Sequence, residues 1–545
     1  MRIGKLTSKE PYWTSSNLSF RFFWSLVVIV SVIAVLVRYA FLGTPGFPLG
    51  EGGLFIRFAE LIRDNGFAVP AHAAYGDHSF PFAYPPAAFY LAAAISRLTG
   101  AGLFDIFYWL PLLLNLLAVP TFCFFAAQAT RDRAIVAISA VLYVQLPHSF
   151  LWQITGGGLP RALGALISLL ALGLVFRSLS QRSYPLLLMV GILVGFAILS
   201  HLEWGIFAAS GIAITLLVER GIRQGLRLCI VCGLAAFLTV LPWVVLILAR
   251  HGFAPFLSSS TASEWSPASF IYQSLTGQIF DLLVWPAMLG TFVCIRNRKP
   301  FLLLWSFVIL LATPRMGISA GLAIPSALLS GYGIKAAGDF LRDRIGADPD
   351  LSKRQVEYIS SERPWGLGIP VLALMTLASI ILSSPIRKAS ADLTTLDQLD
   401  LGTREAMRWV ARNSPADAKF VVVSDAQAWW GDRAGEWFPL LAGRESLTTA
   451  QGLEWAGPGA FVARRDEIDA MKLVQLGAPE LLPAFIRNHH CAANYAALFL
   501  PRASPARAAF EESDGARTVF ANQAAAVVLL KPRCRSAADP HTEMR

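Results

Sequence analysis

Residues 22–42 read FFWSLVVIVSVIAVLVRYAFL, and residues 48–67 continue PLGEGGLFIRFAELIRDNGF. The first stretch has the length and apolarity of a bilayer-spanning helix, which needs about 20 apolar residues. It is too long for the apolar part of a signal peptide, lacks a small-x-small cleavage site, and follows Arg2, Lys5, Lys9 and Arg21. It therefore reads as an uncleaved first span with its N-terminus in the cytoplasm. In the second stretch Leu54, Phe55, Phe58, Leu61 and Ile62 recur at helical spacing, while Arg57, Glu60, Arg63 and Asp64 take the other face. That is the pattern of an amphipathic helix lying along a membrane surface.

Composition agrees. Of 545 residues, 55% are hydrophobic and 15% charged, and the mean hydropathy is +0.53. Soluble chains carry about 25% charged residues, so a disordered chain, a fibre and an ordinary cytosolic enzyme are excluded. Further apolar runs fall at 103–127, 134–150, 161–176, 185–200, 205–218, 227–249, 278–295, 300–314, 318–336 and 366–385. Residues 86–98, PAAFYLAAAISRL, are ambiguous, and charge decides them. With this run on the surface, one side of the membrane collects Arg131/Arg133, Arg177/Arg182, Arg220/Arg223/Arg227, Arg296/Arg298/Lys299 and the basic 337–365 stretch. The other side keeps scattered single arginines, among them Arg57, Arg63, Arg161, Arg250 and Arg315. Cytoplasmic loops retain Lys and Arg, so the expectation is eleven spans, a first outside loop at 43–102, and a C-terminal region outside.

Residues 386–545 carry 19 basic and 19 acidic residues, against 27 and 17 in the rest of the chain. The positive charge thus belongs to the membrane part, and no basic block interleaved with aromatics suggests nucleic acid. TREAMRWVARN (403–413) reads as an amphipathic helix, KFVVVSD (419–425) as a buried strand, and 517–530 as one or two strands. A small extracytoplasmic α/β domain over 386–545 is expected, following a membrane domain over 22–385 and a cytoplasmic N-terminus over 1–21. Cys123, Cys229, Cys232 and Cys294 lie in apolar runs. Cys491 and Cys534 lie in the polar region. Outside the cell an unpaired exposed thiol is unusual, so Cys491 and Cys534 are expected to form a bridge closing a loop of about 43 residues, worth about 3–4 kcal/mol in the chain-entropy model.

The first outside loop concentrates the candidate chemistry. Glu51 is flanked by Gly50, Gly52 and Gly53, which let the backbone turn tightly and a ligand approach. A carboxylate at membrane level needs a partner or a task, and on spacing alone a functional acid and a helix-capping one are both open. AYGDHSFPFAYPPAAFY adds His72, Asp77, His78 and Tyr84. Asp77 with His78 suits a divalent cation or a proton relay, or simply a solvated turn.

RYAFLGTPGFPLGEGGLFIRFAELIRDNG followed by FAYPPAAFYLAAAISRL resembles the start of the GT-C membrane glycosyltransferases, a superfamily that includes protein O-mannosyltransferases, aminoarabinose lipid A transferases and oligosaccharyltransferase catalytic subunits. Arg38, Glu51 and Tyr84-Pro85-Pro86 match the places of that family's first-span arginine, first-loop acid and aromatic-proline helix start. The family's usual Asp-Glu pair reads Gly50-Glu51 here. GGGLPRALG (156–164), SHLEWGIFA (200–208) and TPRMGISAGLAIPSALLSGYGI (313–334) resemble its second outside loop, a bacterial turn with Leu202 in place of proline, and a late helix pair. The resemblance covers most of residues 25–340. It implies a polytopic helical bundle in a bacterial plasma membrane that transfers a sugar, with inversion, from a polyprenyl-phosphate donor to a glycan, lipid or protein acceptor at the outer face. A divalent ion, Mg or Mn, is a possible cofactor. It implies Glu51, with Asp77, as catalytic acids, and Arg161 and Arg315 on the donor phosphate, which arginine binds bidentately. His78, Tyr84, His201 and Glu203 are left to touch substrate. In the C-terminal region Trp429, Trp430, Trp437 and Trp455 suit sugar stacking, a membrane interface or plain packing, and Gly435-Glu436-Trp437 resembles a segment after the last span of bacterial relatives. A flippase of lipid-linked glycans and a non-catalytic scaffold of the same fold are the alternatives. The first would want charges at mid-membrane and paired broken helices.

Overall fold

The computed structural model describes residues 20–39, 41–261, 284–312, 316–346, 398–426, 428–457 and 459–531. The apolar runs become a helical bundle: α1 (Phe20–Tyr39), α4 (Leu103–Thr130), α5 (Arg133–Gln145), α6 (Leu159–Gln181), α7 (Tyr184–Ser200), α8 (Leu202–His251) with the short α9 (Ala254–Thr261) after it, α10 (Val284–Arg296), α11 (Pro300–Ala312) and α12 (Met316–Gly346). Among the described residues four helices are long and apolar enough to cross a membrane, beginning at Arg21, Leu103, Gly156 and Leu202, and shorter apolar helices pack between them. Their outer faces stay apolar: Val28, Leu113, Leu188, Leu234 and Phe237 are exposed. An apolar outside around a packed apolar inside is what lipid requires. The chain is a polytopic helical membrane protein.

The two runs expected at 205–218 and 227–249 form one continuous element, broken at Gly221. Its φ of +73° and ψ of 166° are far from helical, and glycine is the residue that takes them without steric cost. The run expected at 134–150 stops as a helix at Gln145, because Pro147 forces Leu146 into the extended region (ψ 118°). The span expected at 366–385 lies outside the described residues.

The ends of the helices sort into two layers. At one end Arg38 reaches the Val144 carbonyl (3.0 Å), Asn115 reaches the Ser149 carbonyl (3.1 Å), and Arg250 reaches the Val69 carbonyl (2.8 Å). At the other, Arg133 lies 5.7 Å over the Phe22 ring, Lys335 pairs with Asp132 at 3.8 Å, and Lys299 meets the Tyr332 hydroxyl at 3.1 Å. Helix α3 (Ala87–Thr99) stays at the first end throughout. Tyr90 donates to Phe67, and Arg63 reaches Ser96 from α2 (Gly53–Asp64). At 13 residues α3 is too short to cross unaided a bilayer that takes about 20. Gln398 donates to the Thr44 and Phe47 carbonyls, so the chain has returned to this end after α12.

Between α2 and α3 a hairpin, β1 (His72–Tyr75) and β2 (His78–Pro81), pairs Tyr75 with His78. The C-terminal region begins with α13 (Leu401–Asn413), an amphipathic helix as expected. It builds a five-stranded sheet in the order β4-β3-β5-β7-β6. Here β3 (Lys419–Ser424) runs parallel to β4 (Glu445–Ser446) and β5 (Tyr495–Phe499), while β7 (Ala526–Leu530) runs antiparallel to β5 and β6 (Ala516–Ala521). Strand alternation divides two cores. Val421, Val423 and Leu498 pack with Met471, Leu482, Ile486 and Phe510, under α15 (Ala460–Gly477), α16 (Leu482–His489) and α17 (Pro505–Glu511). Phe420 and Val422 face the other way, with α14 (Arg433–Ala442), into a core that continues through Trp437 and Phe438 to Phe58, Phe80, Phe82 and Phe89 of the first loop. One apolar core therefore ties the C-terminal domain to the first-loop layer. Cys491 is disulfide-bonded, and its expected partner Cys534 lies outside the described residues.

Candidate active site

Glu51 sits where three backbone segments meet: the Gly50–Gly53 turn, the Gly156–Gly158 turn before α6, and the start of α14. Its carboxylate receives Arg161 Nη1 at 2.8 Å, with the glutamate side chain 32% exposed and the arginine 19%. The Gly157 amide donates to the Glu51 carbonyl at 2.7 Å, and Gly156 donates to Leu49 at 2.9 Å. A side chain at 157 has no room: its Cβ would lie 2.5 Å from Glu51 Cγ. The glycine run at 156–158 is thus the close approach that lets Arg161, on the first turn of α6, reach Glu51. The Nε and Nη2 of Arg161 have no protein partner among the described residues. Its remaining contacts are the Trp152 carbonyl at 3.5 Å and the Trp152 ring at 5.6 Å.

Glu51 does not cap the following helix. Gly52 holds the N-cap position, and the capping oxygen comes from far along the chain: Glu436 Oε1 accepts from Gly52 N (3.1 Å) and Leu54 N (3.2 Å). On the other side of the turn Trp437 Nε1 donates to the Gly50 carbonyl at 2.7 Å. Trp437 is fully buried against Phe47 and Phe104, so of its three possible uses it takes packing. The Tyr75 hydroxyl donates to the Glu436 backbone carbonyl. Burial pushes the Glu436 carboxyl up to about 8, the nearby charge of Glu51 adds to this, and the amides that it caps act against it.

Asp77 is placed differently. Arg464 of α15 grips it with two nitrogens at 3.1 Å each, and His78 Nδ1 approaches at 3.1 Å. Burial raises its carboxyl, but the hydrogen bonds from His78 and Arg464 outweigh that and hold it well below the usual carboxylate range. His78 Nε2 meets the Gln451 carbonyl at 3.1 Å. Asp77 and His78 together fasten the hairpin to the C-terminal domain. Tyr84 packs against Phe55 and Trp455. Burial first, and then the charges of Glu51, Glu203 and Glu454 against that of Arg161, hold its hydroxyl above its ordinary range. His201 holds the N-cap position of α8 in extended conformation, its buried Nδ1 has no hydrogen-bond partner among the described residues, and Glu203 follows on the first turn. Among the expected residues, Glu51, Arg161, Tyr84 and Glu203 come together electrostatically, and Asp77 with His78 forms a separate fastening. Arg250 is spent on the Val69 and Pro70 carbonyls, and the His72 and His251 rings meet edge-on at 5.0 Å. Arg315 lies outside the described residues.

Behind the turn a buried polar chain braces the second loop. Arg38, fully buried, donates to Asn115 Oδ1 at 2.6 Å, and Asn115 Nδ2 reaches Gln153 Oε1 at 2.8 Å. Arg38 also lies 4.7 Å over the Phe150 ring. Sequence reading passed over Glu436, Arg464, Asn115 and Gln153. Only Glu436 carried a signal, the Gly435-Glu436-Trp437 segment. Among the described residues no group of three His, Cys, Asp or Glu comes together that could hold a metal. Glu51 is paired with an arginine rather than with a second acid.

No family model and no curated protein matches the chain. Solved structures do. An archaeal oligosaccharyltransferase, AglB from Archaeoglobus fulgidus, in complex with an inhibitory peptide and a dolichol-phosphate, superposes with a TM-score of 0.60 at 14% identity over 88% of this chain and 69% of its own. The fold is that of the GT-C glycosyltransferases. ArnT from Cupriavidus metallidurans, in the apo state, is similar at a TM-score of 0.53 and 15% identity, over 94% of this chain and 99% of ArnT. The arabinofuranosyltransferase AftD from Mycobacteria is similar at 0.56 and 14% identity, over 94% of this chain and 40% of AftD. These GT-C neighbours combine a helical membrane bundle with a C-terminal domain, as this chain does.

Proposed function

We propose that the protein transfers a sugar from a polyprenyl-phosphate-linked donor to an acceptor hydroxyl, with inversion, at the outer face of a bacterial plasma membrane. The observation that carries this reading is the Glu51–Arg161 pair: a carboxylate partly open to solvent, held at 2.8 Å by an arginine with donors to spare, between the apolar bundle and the C-terminal domain. Glu51 takes the acceptor proton as general base. The acceptor oxygen attacks the anomeric carbon from the face opposite the phosphate. The carbon–oxygen bond to phosphate breaks, and its electron pair leaves on the lipid phosphate. Arg161, joined by Arg315, offsets the charge gathering there. General base catalysis contributes about 10²–10⁴-fold, and fixed cations facing a developing anion usually supply the greatest share of the acceleration. Tyr84, His201 and Glu203 line the approach, and Asp77 serves as a fastener rather than as a second base.

The outer-face assignment is supported by arginines at the far end of the bundle, where Arg131, Arg133, Arg182 and Arg220 cluster. It places 1–21 in the cytoplasm and the C-terminal domain outside. Reporters fused after residues 131 and 298 should read cytoplasm, and one fused after 450 the outside. A cytoplasmic signal at 450 overturns this orientation. For function, deletion of the protein should make one polyprenyl-linked sugar accumulate by mass spectrometry of extracted lipids, and wild type but not Glu51→Gln should clear it. Clearance by Glu51→Gln would refute Glu51 as the base. Arg161→Ala should slow turnover as well as weaken binding of the accumulated lipid.

A further inference from the structure

The Glu51 turn lies in the first outside loop, yet the atoms that fix its shape come from 382 to 387 residues away. On the N-terminal side the Gly50 carbonyl is held by Trp437 Nε1 at 2.7 Å. On the C-terminal side the Gly52 and Leu54 amides are held by Glu436 Oε1 at 3.1 and 3.2 Å. Trp437 and Glu436 are adjacent on the first turn of α14, and both are buried. Helix α14 is in turn fixed by Asp432, whose carboxylate caps it at Gly435 N (2.8 Å), and by Thr449, which donates to the Gly435 carbonyl (2.9 Å). Glu51 itself points at Arg161 and takes no part in these bonds.

We propose that Glu436 and Trp437 are positioning residues for Glu51, clamping the two sides of its turn, so that the membrane site is complete only with the C-terminal domain docked. The inference rests on the reading of Glu51 as the base. Glycines at 50, 52 and 53 give the turn the freedom to approach Arg161 and also to drift from it, and removing that freedom is what a clamp supplies. A burial this deep is costly for a charged carboxylate. Among the described residues Glu436 Oε2 has no hydrogen-bond partner, and Glu51 lies close enough to raise its proton affinity. The neutral form therefore caps α2 at pH 7, and the ionised form, arising above about pH 8, sets a second negative charge beside the base. The other ionisable groups around Glu436 are Tyr75 of β1, on which Glu60 and Arg57 act, and Arg161, which holds Glu51.

The test uses the full chain in lipid nanodiscs, with Glu436→Ala, Glu436→Gln, Trp437→Phe and Glu51→Gln, amide hydrogen exchange over residues 47–58, and transfer from the lipid identified by deletion. Glu436→Ala should expose the Gly52 and Leu54 amides to faster exchange and lower kcat, with KM for donor little changed, by as much as about 10²-fold for a shift of about 1 Å in a reacting group. Glu436→Gln retains the accepting oxygen and stays neutral. It should restore slow exchange and most of the rate at pH 7, and should abolish the fall in kcat expected of wild type above about pH 8. Trp437→Phe keeps the packing and loses one bond, and should act in the same direction more weakly. In a Glu51→Gln background Glu436→Ala should cost nothing further. The clamp is overturned by unchanged exchange in Glu436→Ala and Trp437→Phe, or by an alkaline fall that survives in Glu436→Gln. Should Glu436→Ala not fold, the Gln profile and Trp437→Phe decide. If Glu51→Gln transfers normally while exchange still quickens in Glu436→Ala, the base assignment has failed and the clamp stands as a structural one.

Discussion

Glu51 and Asp77 lie in the same loop between α1 and α4, and each meets an arginine, but they are built for different ends. Glu51 receives one guanidinium nitrogen, is 32% exposed, and is walled by glycine backbone on two sides. Asp77 receives two guanidinium nitrogens and a histidine, and is 19% exposed. The arginine that holds Glu51 stands on a bundle helix, and its Nε and Nη2 have no partner among the described residues. The arginine that holds Asp77 stands on the C-terminal domain and also spends itself on Glu467 at 3.2 Å and the Thr449 carbonyl at 3.2 Å. A carboxylate whose lone pairs are filled is a fastener. One with room beside it is available for chemistry.

The largest expected contrast is in rate. Glu51→Gln preserves size and hydrogen bonding to Arg161 but removes basicity. Transfer should fall by about 10²-fold or more, the range lost with a general base, while the thermal unfolding midpoint stays near wild type. Asp77→Asn should do the reverse: activity per folded molecule persists and stability drops. A lost hydrogen bond to a charged group costs about 1.5–3 kcal/mol, and thermal unfolding of the two variants side by side measures it. Equal rate losses in both would erase the distinction.

Acid sharpens the same comparison. The Asp77 carboxyl is held below its unfolded value by His78 and Arg464 against the opposing effect of burial. Its contribution is therefore present above the ordinary aspartate pKa of about 3.9 and is lost as pH falls through the folded value. Wild type should loosen at the hairpin–domain contact below about pH 4, seen as faster amide exchange over residues 72–81. Asp77→Asn should show that looseness at every pH, with no further acid step at this contact.

Much of the bundle was legible because lipid imposes a one-dimensional signal: apolar length marks the helix. In the C-terminal sheet β3, β6 and β7 followed from short apolar runs such as Phe420–Val423, whereas the two-residue β4 and the alanine-rich β5 carried no strand expectation. The helix ends were less legible, because Pro147 and Gly221 act through backbone geometry that hydropathy ignores. For the site, Glu51 and Arg161 stood out because glycine surrounds each in sequence. Their supports did not. Whether Asp77 or Glu51 meets Arg464, and whether Trp437 stacks on a sugar or holds the Gly50 carbonyl, depends on contacts between segments nearly 390 residues apart. No local pattern encodes such pairings, since any buried carboxylate and any arginine could in principle be matched. The docked domain makes the choice.

The smallest expected effect comes from a third acid in the same loop, and it calibrates the other two. Glu60 accepts from Arg57 at 3.3 Å, three residues apart on the polar face of α2, with side chains 25% and 39% exposed. Both groups already share one helix, so the pair fastens nothing to anything else. Exposed pairs at this spacing contribute about 0.3–0.5 kcal/mol, and salt screens them. Glu60→Gln should therefore leave transfer within error of wild type and move stability by no more than about 0.5 kcal/mol, a difference that vanishes at high salt. A larger loss would show that the polar face of α2 meets something beyond water, and the contrast drawn between Glu51 and Asp77 would then have to include a third working acid.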